Sequence, residues 1–410
     1  MNDDASVSRR DFFRSGAAAA AAVAALPVLA SEKDEASEKD SAPVVLPKRK
    51  LGRTGVDVTI LSQGAGYGTN LRHLNMMHSL GIRHIDTAKA YLKGASERTL
   101  AEWFEKTGHR KEYFLVTKDL PKTPDEFVKM VDERCDALKT DSIDLFMVHA
   151  LGDTDYYSGL EDAKWFTDKE WVKAADTIRK SGKCRFLGFS THTDPIEVRT
   201  GLLDAAAKGG WVDAIMVAAD PTLIRENAEF NKALDACHKA GIGLISMKQG
   251  RGVEKIKDVF PTFEKKGLST HTAVLSAMWT DERFACTCSH MKNFEELREN
   301  AIAAKNFKPL TKEELGAVDT MLREGERTFC VGCDGRCREA ANTRAKLNTI
   351  ARYVSYAEED GRVYEARELL TALPPEARDW PGADVAAASR ACKCNLDFAR
   401  ILERAEELLA

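Results

Sequence analysis

From about Lys48 to Lys305 the chain alternates short β-branched or apolar runs with longer amphipathic stretches. The runs read as strands: VTILSQG, RHIDTA, YFLVTK, IDLFMVH, CRFLGFS, DAIMVAAD, GLISMK and FACTCS. Between them lie helix-like segments such as PDEFVKMVDERCDALKT, which places Phe127, Met130, Val131, Cys135 and Leu138 on one face. Eight strands alternating with helices over about 250 residues predict an α/β fold of the (β/α)8 TIM-barrel type. The competing arrangement, an open doubly wound sheet, lacks its usual mark, because no GxGxxG helix start follows the first strand.

Barrel chemistry gathers where strands end, because the loops after the strand C-termini line one mouth. Those ends are polar here: Asp86 closes RHID, Lys118 closes FLVTK, His149 closes LFMVH, Ser190 closes FLGFS and Lys248 closes LISMK. Tyr91, shortly past Asp86, falls on the loop above its strand. A phenol with a pKa near 10 is a weak acid at neutral pH, and a lysine beside it is expected to lower that value. An aspartate keeps the lysine charged, and a histidine can hydrogen-bond a substrate oxygen. The residue types that protonate a developing alkoxide are thus present.

The runs KRKLGRTGVDVTILSQGAG, GIRHIDTAKAYLKGASE, LVTKDL, LKTDSIDLFMVHA and GKCRFLGFSTH resemble the aldo-keto reductase family over nearly the whole barrel. The resemblance implies Tyr91 as general acid, Lys118 and Asp86 tuning it, and His149 orienting a carbonyl for hydride transfer from a nicotinamide. It implies NADP, or NAD, as cofactor, with Ser190, Thr191, Met216 and Met247 toward the nicotinamide, Lys248 near phosphate and Gly66 also in the cofactor site. SHMKNFEELREN is similar to the family's adenosine grip, placing Lys292 and Asn293 toward the ribose phosphate and Glu299 and Asn300 toward adenine. Three positions depart from the pattern: Thr191 and Asp220 replace asparagines, and Met216 replaces a glutamine. A thioether cannot supply an amide's donor and acceptor pair.

The composition, 44% hydrophobic and 30% charged with a formal net charge of −4 over 410 residues, is that of a globular protein and carries no global charge pointing to nucleic acid. Residues 1–30 carry Arg9 and Arg10, an alanine-rich run from Ala17 to Ala25 and a small-residue ending, the order of a secretory signal. Ser8-Arg9-Arg10-Asp11-Phe12-Phe13 resembles a twin-arginine export signal, which carries folded, cofactor-loaded proteins out of the cytoplasm to the periplasm or beyond. The apolar run falls short of the roughly 18 residues of a membrane span, so none is expected after signal removal. Residues 31–47, with alternating charges, read as a disordered linker, 48–322 as the barrel and 323–410 as a small, mainly helical C-terminal domain.

That last domain holds Cys330, Cys333 and Cys337 at CxxCxxxC spacing and Cys392 and Cys394 in ACKCN. Three thiolates on a tight turn plus a fourth from a distant segment can enclose one [4Fe-4S] cluster at most. A ferredoxin-bearing branch of the family supports this by resemblance; disulfides, structural zinc and a metal-free relic are the alternatives. Cys286 and Cys288, two apart on a strand, read as core packing.

The function expected is therefore an exported oxidoreductase moving hydride between NADP(H) and a small-molecule carbonyl or alcohol, with a redox partner if the cluster passes electrons. The alternative is an exported electron-transfer or binding protein on a decayed scaffold, since no NADPH pool exists outside the cytoplasm. The aromatic loop from Leu151 to Asp168 hints at a sugar or aromatic ligand.

Overall fold

The computed structural model describes residues 44–410 except 67–68, 194, 251–252, 254–262, 264–265, 327–329, 331–334, 360, 395 and 410. The signal at 1–30, residues 31–43 of the linker, and Cys333 lie outside the described residues.

A hairpin opens the fold, β1 (Lys48–Lys50) pairing antiparallel with β2 (Asp57–Thr59). Eight parallel strands then close a barrel: β3 (Leu61–Gly64), β4 (His84–Asp86), β5 (Phe114–Asp119), β6 (Ile143–Val148), β7 (Cys184–Thr191), β8 (Ala214–Ala218), β9 (Gly243–Met247) and β10 (Phe284–Ser289). β10 returns to pair with β3, so the sheet has no free edge. Every strand expected from the pattern is present, but the first run divides at Ile60, its front half joining the hairpin. Leu51 and Val58 from that hairpin pack with Phe114 and Phe186, forming the barrel floor.

The two-residue period of a strand sorts the side chains. Leu115, Phe146, Val148, Leu187, Phe189, Ile215 and Leu244 face the surrounding helices. Val116, Leu145, Met147, Met216, Ile245, Cys286 and Cys288 fill the interior. The helix Pro124–Leu138 illustrates the outer layer: Thr123 accepts a hydrogen bond from the Glu126 backbone N–H (3.2 Å), Pro124 occupies its first turn, and Phe127, Val131, Cys135 and Leu138 are buried.

Two expected boundaries shift. Residues 44–47 of the linker are ordered against the barrel, with Leu46 only 2% exposed in the core, because an apolar stretch beside a sheet finds a partner. The 322/323 division falls inside a continuous helix, Lys312–Glu326, whose Val318, Met321 and Leu322 pack on Val274 and Ala277. The helices Arg336–Ala340, Leu347–Glu359, Val363–Ala372, Val385–Ala391 and Phe398–Leu409 surround a second hydrophobic cluster. Among the described residues no helix is long and apolar enough to cross a membrane.

Candidate active site at the strand C-termini

Asp86 is the last residue of β4 and Lys118 the penultimate residue of β5, neighbours in the barrel wall with side chains buried to 3% and 1% exposure. The Lys118 ammonium donates to the Asp86 carboxylate and to the Thr87 carbonyl oxygen (2.9 Å). Burial works against that ammonium, but the charge of Asp86, then of Tyr91, outweighs it and holds Lys118 above the ordinary lysine range.

Tyr91 is carried above this pair by a strained turn. Leu92 and Lys93 have φ of 51° and 53°, the left-handed region that only glycine enters freely, and Gly94 follows at 83°. The turn is anchored by Ser96, whose hydroxyl meets that of Thr87 (2.7 Å) and donates to the Ala65 carbonyl. Beneath it Arg134 lies 3.3 Å from Glu97 and 3.4 Å from Asp119, and Glu97 accepts from the Thr117 hydroxyl (2.7 Å). Lys118 Nζ stands 5.1 Å from the centre of the Tyr91 ring. The His149 ring meets Tyr91 edge to face, 5.8 Å between centroids. Ala150, just after His149, and Lys248 also have positive φ, 54° and 59°, so backbone strain recurs around this mouth.

The phenol departs from the sequence-based expectation. Burial pushes its pKa up to about 12, more than the Lys118 cation and its hydrogen bonding pull it down. His149 is held down to about 3 by burial, then by the charges of Lys118 and Lys248, so its imidazole is neutral at neutral pH. The mouth thus presents a protonated phenol and a neutral imidazole side by side, both able to donate to an oxygen.

The residues expected around a nucleotide divide. Gly66 stands after β3 with open space where a Cβ would be. Ser190 Oγ accepts from the Ala150 N–H (3.1 Å), joining β7 to the segment after His149. Met247 is half-buried and Lys248 exposed. Lys292 and Glu299 are half-buried, and Asn300 is buried, its Nδ2 donating to Ser289 Oγ (3.2 Å) while Oδ1 has no hydrogen-bond partner. Three of them are engaged within the protein itself. Thr191 is fully enclosed, its Oγ1 also lacking a hydrogen-bond partner, because it alternates with the inward Ser190. Met216 packs inside the barrel at 1% exposure. Asn293 caps the helix Phe294–Lys305, accepting from the Glu296 N–H (2.9 Å) and donating to its carboxylate (3.0 Å), so both ends of its amide are engaged.

Cys288 escaped notice as a neighbour of the site. It lies on the inner face of β10 within hydrogen-bonding reach of Asp86, in space left by the missing side chain of Gly64, whose Cβ would lie 3.4 Å from the sulfur. Only its parity with Cys286 signalled an inward thiol. The aromatic loop residues turn mostly to structure: Trp165 stacks on Trp171 (4.1 Å) and Tyr157 packs edge-on against Trp165 (5.6 Å). In the C-terminal region Cys330, Cys337 and Cys394 are buried in one apolar cluster with Cys392 packed against it, and none of the described cysteines is disulfide-bonded.

The aldo/keto reductase family matches residues 67–249, a span that holds Asp86, Tyr91, Lys118 and His149. The chain carries an aldo/keto reductase family domain. An aldo-keto reductase of Schizosaccharomyces pombe, yakc, whose name specifies NADP(+), is 27% identical over 242 residues, covering 53% of this chain. The chain spans 66% of that curated relative's length. Among solved structures, an aldo-keto reductase of Bombyx mori in complex with NADP superposes with a TM-score of 0.53 at 18% identity, covering 68% of this chain and 93% of the other. One from Bacillus halodurans gives 0.52 at 18% identity, covering 67% and 96%. These two likenesses establish the barrel fold of the aldo/keto reductase domain.

Proposed function

We propose that the protein is an NADP(H)-dependent oxidoreductase that interconverts a small carbonyl compound and its alcohol. The observation that carries this reading is the meeting of Tyr91, Lys118, Asp86 and His149 at the strand C-termini, within a domain whose relative is named for NADP(+). The nucleotide fits in part: Lys248 and Lys292 supply cations, the Asn300 carbonyl oxygen has no hydrogen-bond partner, and Gly66 leaves room, whereas Met216 and Asn293 offer little. When bound, it supplies the hydride that reaches the carbonyl carbon. The neutral His149 donates a hydrogen bond that orients the carbonyl oxygen. Tyr91 gives its phenolic proton to that oxygen as negative charge develops, and the Lys118 cation, itself fixed by Asp86, stabilises the phenolate until solvent reprotonates it. In the oxidation direction the same groups act in reverse. Tyr91→Phe tests this: carbonyl reduction is lost while the change in NADPH fluorescence on binding is retained. Retained reduction would sink the reading.

A second reading, an electron-transfer or binding protein on the same scaffold, is favoured by the enclosure of Thr191 and Met216 and the capping role of Asn293. It predicts no NADPH fluorescence change. For the C-terminal helices, a single [4Fe-4S] cluster would be held by Cys330, Cys333, Cys337 and one of Cys392 and Cys394, and would supply one-electron chemistry. The burial of the described members in one cluster fits a set of sulfur donors. Export by the twin-arginine route belongs to the same proposal, because cofactors loaded before export need a pathway for folded protein. Anaerobic purification followed by iron and sulfide analysis and nucleotide extraction tests both cofactors.

A further inference from the structure

At the end of the barrel opposite Tyr91, the segments leading into β4 and β5 bring two imidazoles and a carboxylate together. His78 lies in the last turn of the helix Leu71–Ser79, and His109 and Glu112 bound the turn His109–Glu112 that precedes β5. The two imidazole rings stack 3.9 Å apart at 17°, and His109 Nδ1 is 2.6 Å from Glu112 Oε1. One donor atom from each of the three residues lies within 4.8 Å of the other two.

The surroundings suit these groups to a cation. The other nitrogen of His78, Nδ1, is 3.0 Å from the Tyr113 hydroxyl, an outer partner that fixes the ring and leaves Nε2 as the ligand atom. Trp103, buried, stands 6.2 Å from His78 and 5.8 Å from His109, giving the group an apolar wall.

Arg83 is the competitor. Its Nη2 is 3.5 Å from His78 Nε2 and its Nε 3.7 Å from Glu112, both long contacts. Its Nη1 is held firmly by the carbonyl oxygens of His78 (2.7 Å) and Ile82 (3.1 Å), so the guanidinium can pivot about that end and yield the other contacts. The stacked rings must splay for their lone pairs to converge on one point, a side-chain rotation at a half-buried position.

The geometry points to a structural site for a divalent ion of the zinc class, held by His78 Nε2, a ring nitrogen of His109 and the Glu112 carboxylate, with water completing the tetrahedron. Such an ion would clamp two successive strand-helix units at the barrel floor, independently of the hydride-transfer reading. The test is titration of the full-length protein with Zn²⁺. The C-terminal cysteines are further candidate zinc donors, so the count is compared between chains that differ only at the floor. Wild type is expected to bind about one equivalent more than His109→Ala or Glu112→Gln, and Tyr113→Phe to hold that equivalent about tenfold more weakly. Cobalt in the same site lacks the intense thiolate-to-cobalt absorption. Glu112→Gln is nearly isosteric at an exposed position, so it reads the count even if His109→Ala misfolds. Equal zinc counts in wild type and the folded variants would overturn the proposal, as would a thiolate band on the equivalent that the floor variants remove.

Discussion

Lys118 and Asp86 hold each other in the barrel wall with almost no access to water, side chains exposed to 1% and 3%. Breaking such a pair from one side strands a buried charge, whereas replacing both partners with apolar groups can be neutral. Lys118→Met is therefore expected to lose about 3–5 kcal/mol of stability and all carbonyl reduction. Lys118→Met combined with Asp86→Leu should recover much of the stability and none of the activity. Denaturant unfolding and a reduction assay separate the two roles; recovered activity in the double variant would remove Lys118 from the chemistry.

The pH dependence of reduction follows from the two donors. Tyr91 stays protonated up to about 12 and His149 stays neutral down to about 3. The rate of reduction should be nearly flat between about pH 5 and 9 and fall only in strong alkali. A rate profile with its midpoint near neutrality would contradict this arrangement of protons.

Acid stability follows from buried histidine. His84, with both ring nitrogens buried and without hydrogen-bond partners, is held down to about 3 by burial, against 6.5 for an ordinary histidine. Between those values the unfolded chain binds the extra proton. Stability is full above pH 6.5 and declines as the pH falls toward 3. The limiting slope is about 1.4 kcal/mol per pH unit for the group. His149 acts in the same direction. His84→Phe should flatten part of the fall in Tm below about pH 6, and unchanged acid sensitivity in that variant would refute the assignment.

Gly188 is needed for its lack of a side chain. An added Cβ would lie 2.0 Å from the Ala214 carbonyl oxygen, backbone that cannot move without opening the β7–β8 pair. Gly188→Ala is expected to destabilise by at least about 1–3 kcal/mol. Thermal unfolding measures it, and a Tm within a degree of wild type would show that the strands can separate freely.

Much of this molecule was legible because the barrel imposes regular rules. The alternation of apolar runs and amphipathic stretches located all eight barrel strands, the two-residue spacing of Cys286 and Cys288 marked both as core, and strand ends located Asp86, Lys118 and His149 together. The features that escaped depend on the third dimension. The direction of the Tyr91 shift turns on burial, which no local pattern reports. Asn293 serves a helix cap because Glu296 lies one turn ahead, a local hydrogen bond that competes with any ligand contact. Leu46 follows charge-rich sequence that reads as solvated, yet it is itself buried in the barrel's core. The floor cluster of His78, His109 and Glu112 joins segments separated by a whole helix, so no motif announces it.

The helix Lys312–Glu326 belongs by its packing to the barrel and by its sequence position to the C-terminal helices. Anyone dissecting the chain should cut beyond Glu326. A fragment ending at Leu322 would keep the Thr222 hydroxyl's bond to Asp319 (3.1 Å) but remove the turn that follows Met321 and Leu322, and fraying at the new end would expose these two core residues and promote aggregation. Insolubility of that fragment would say nothing about whether the barrel folds unaided.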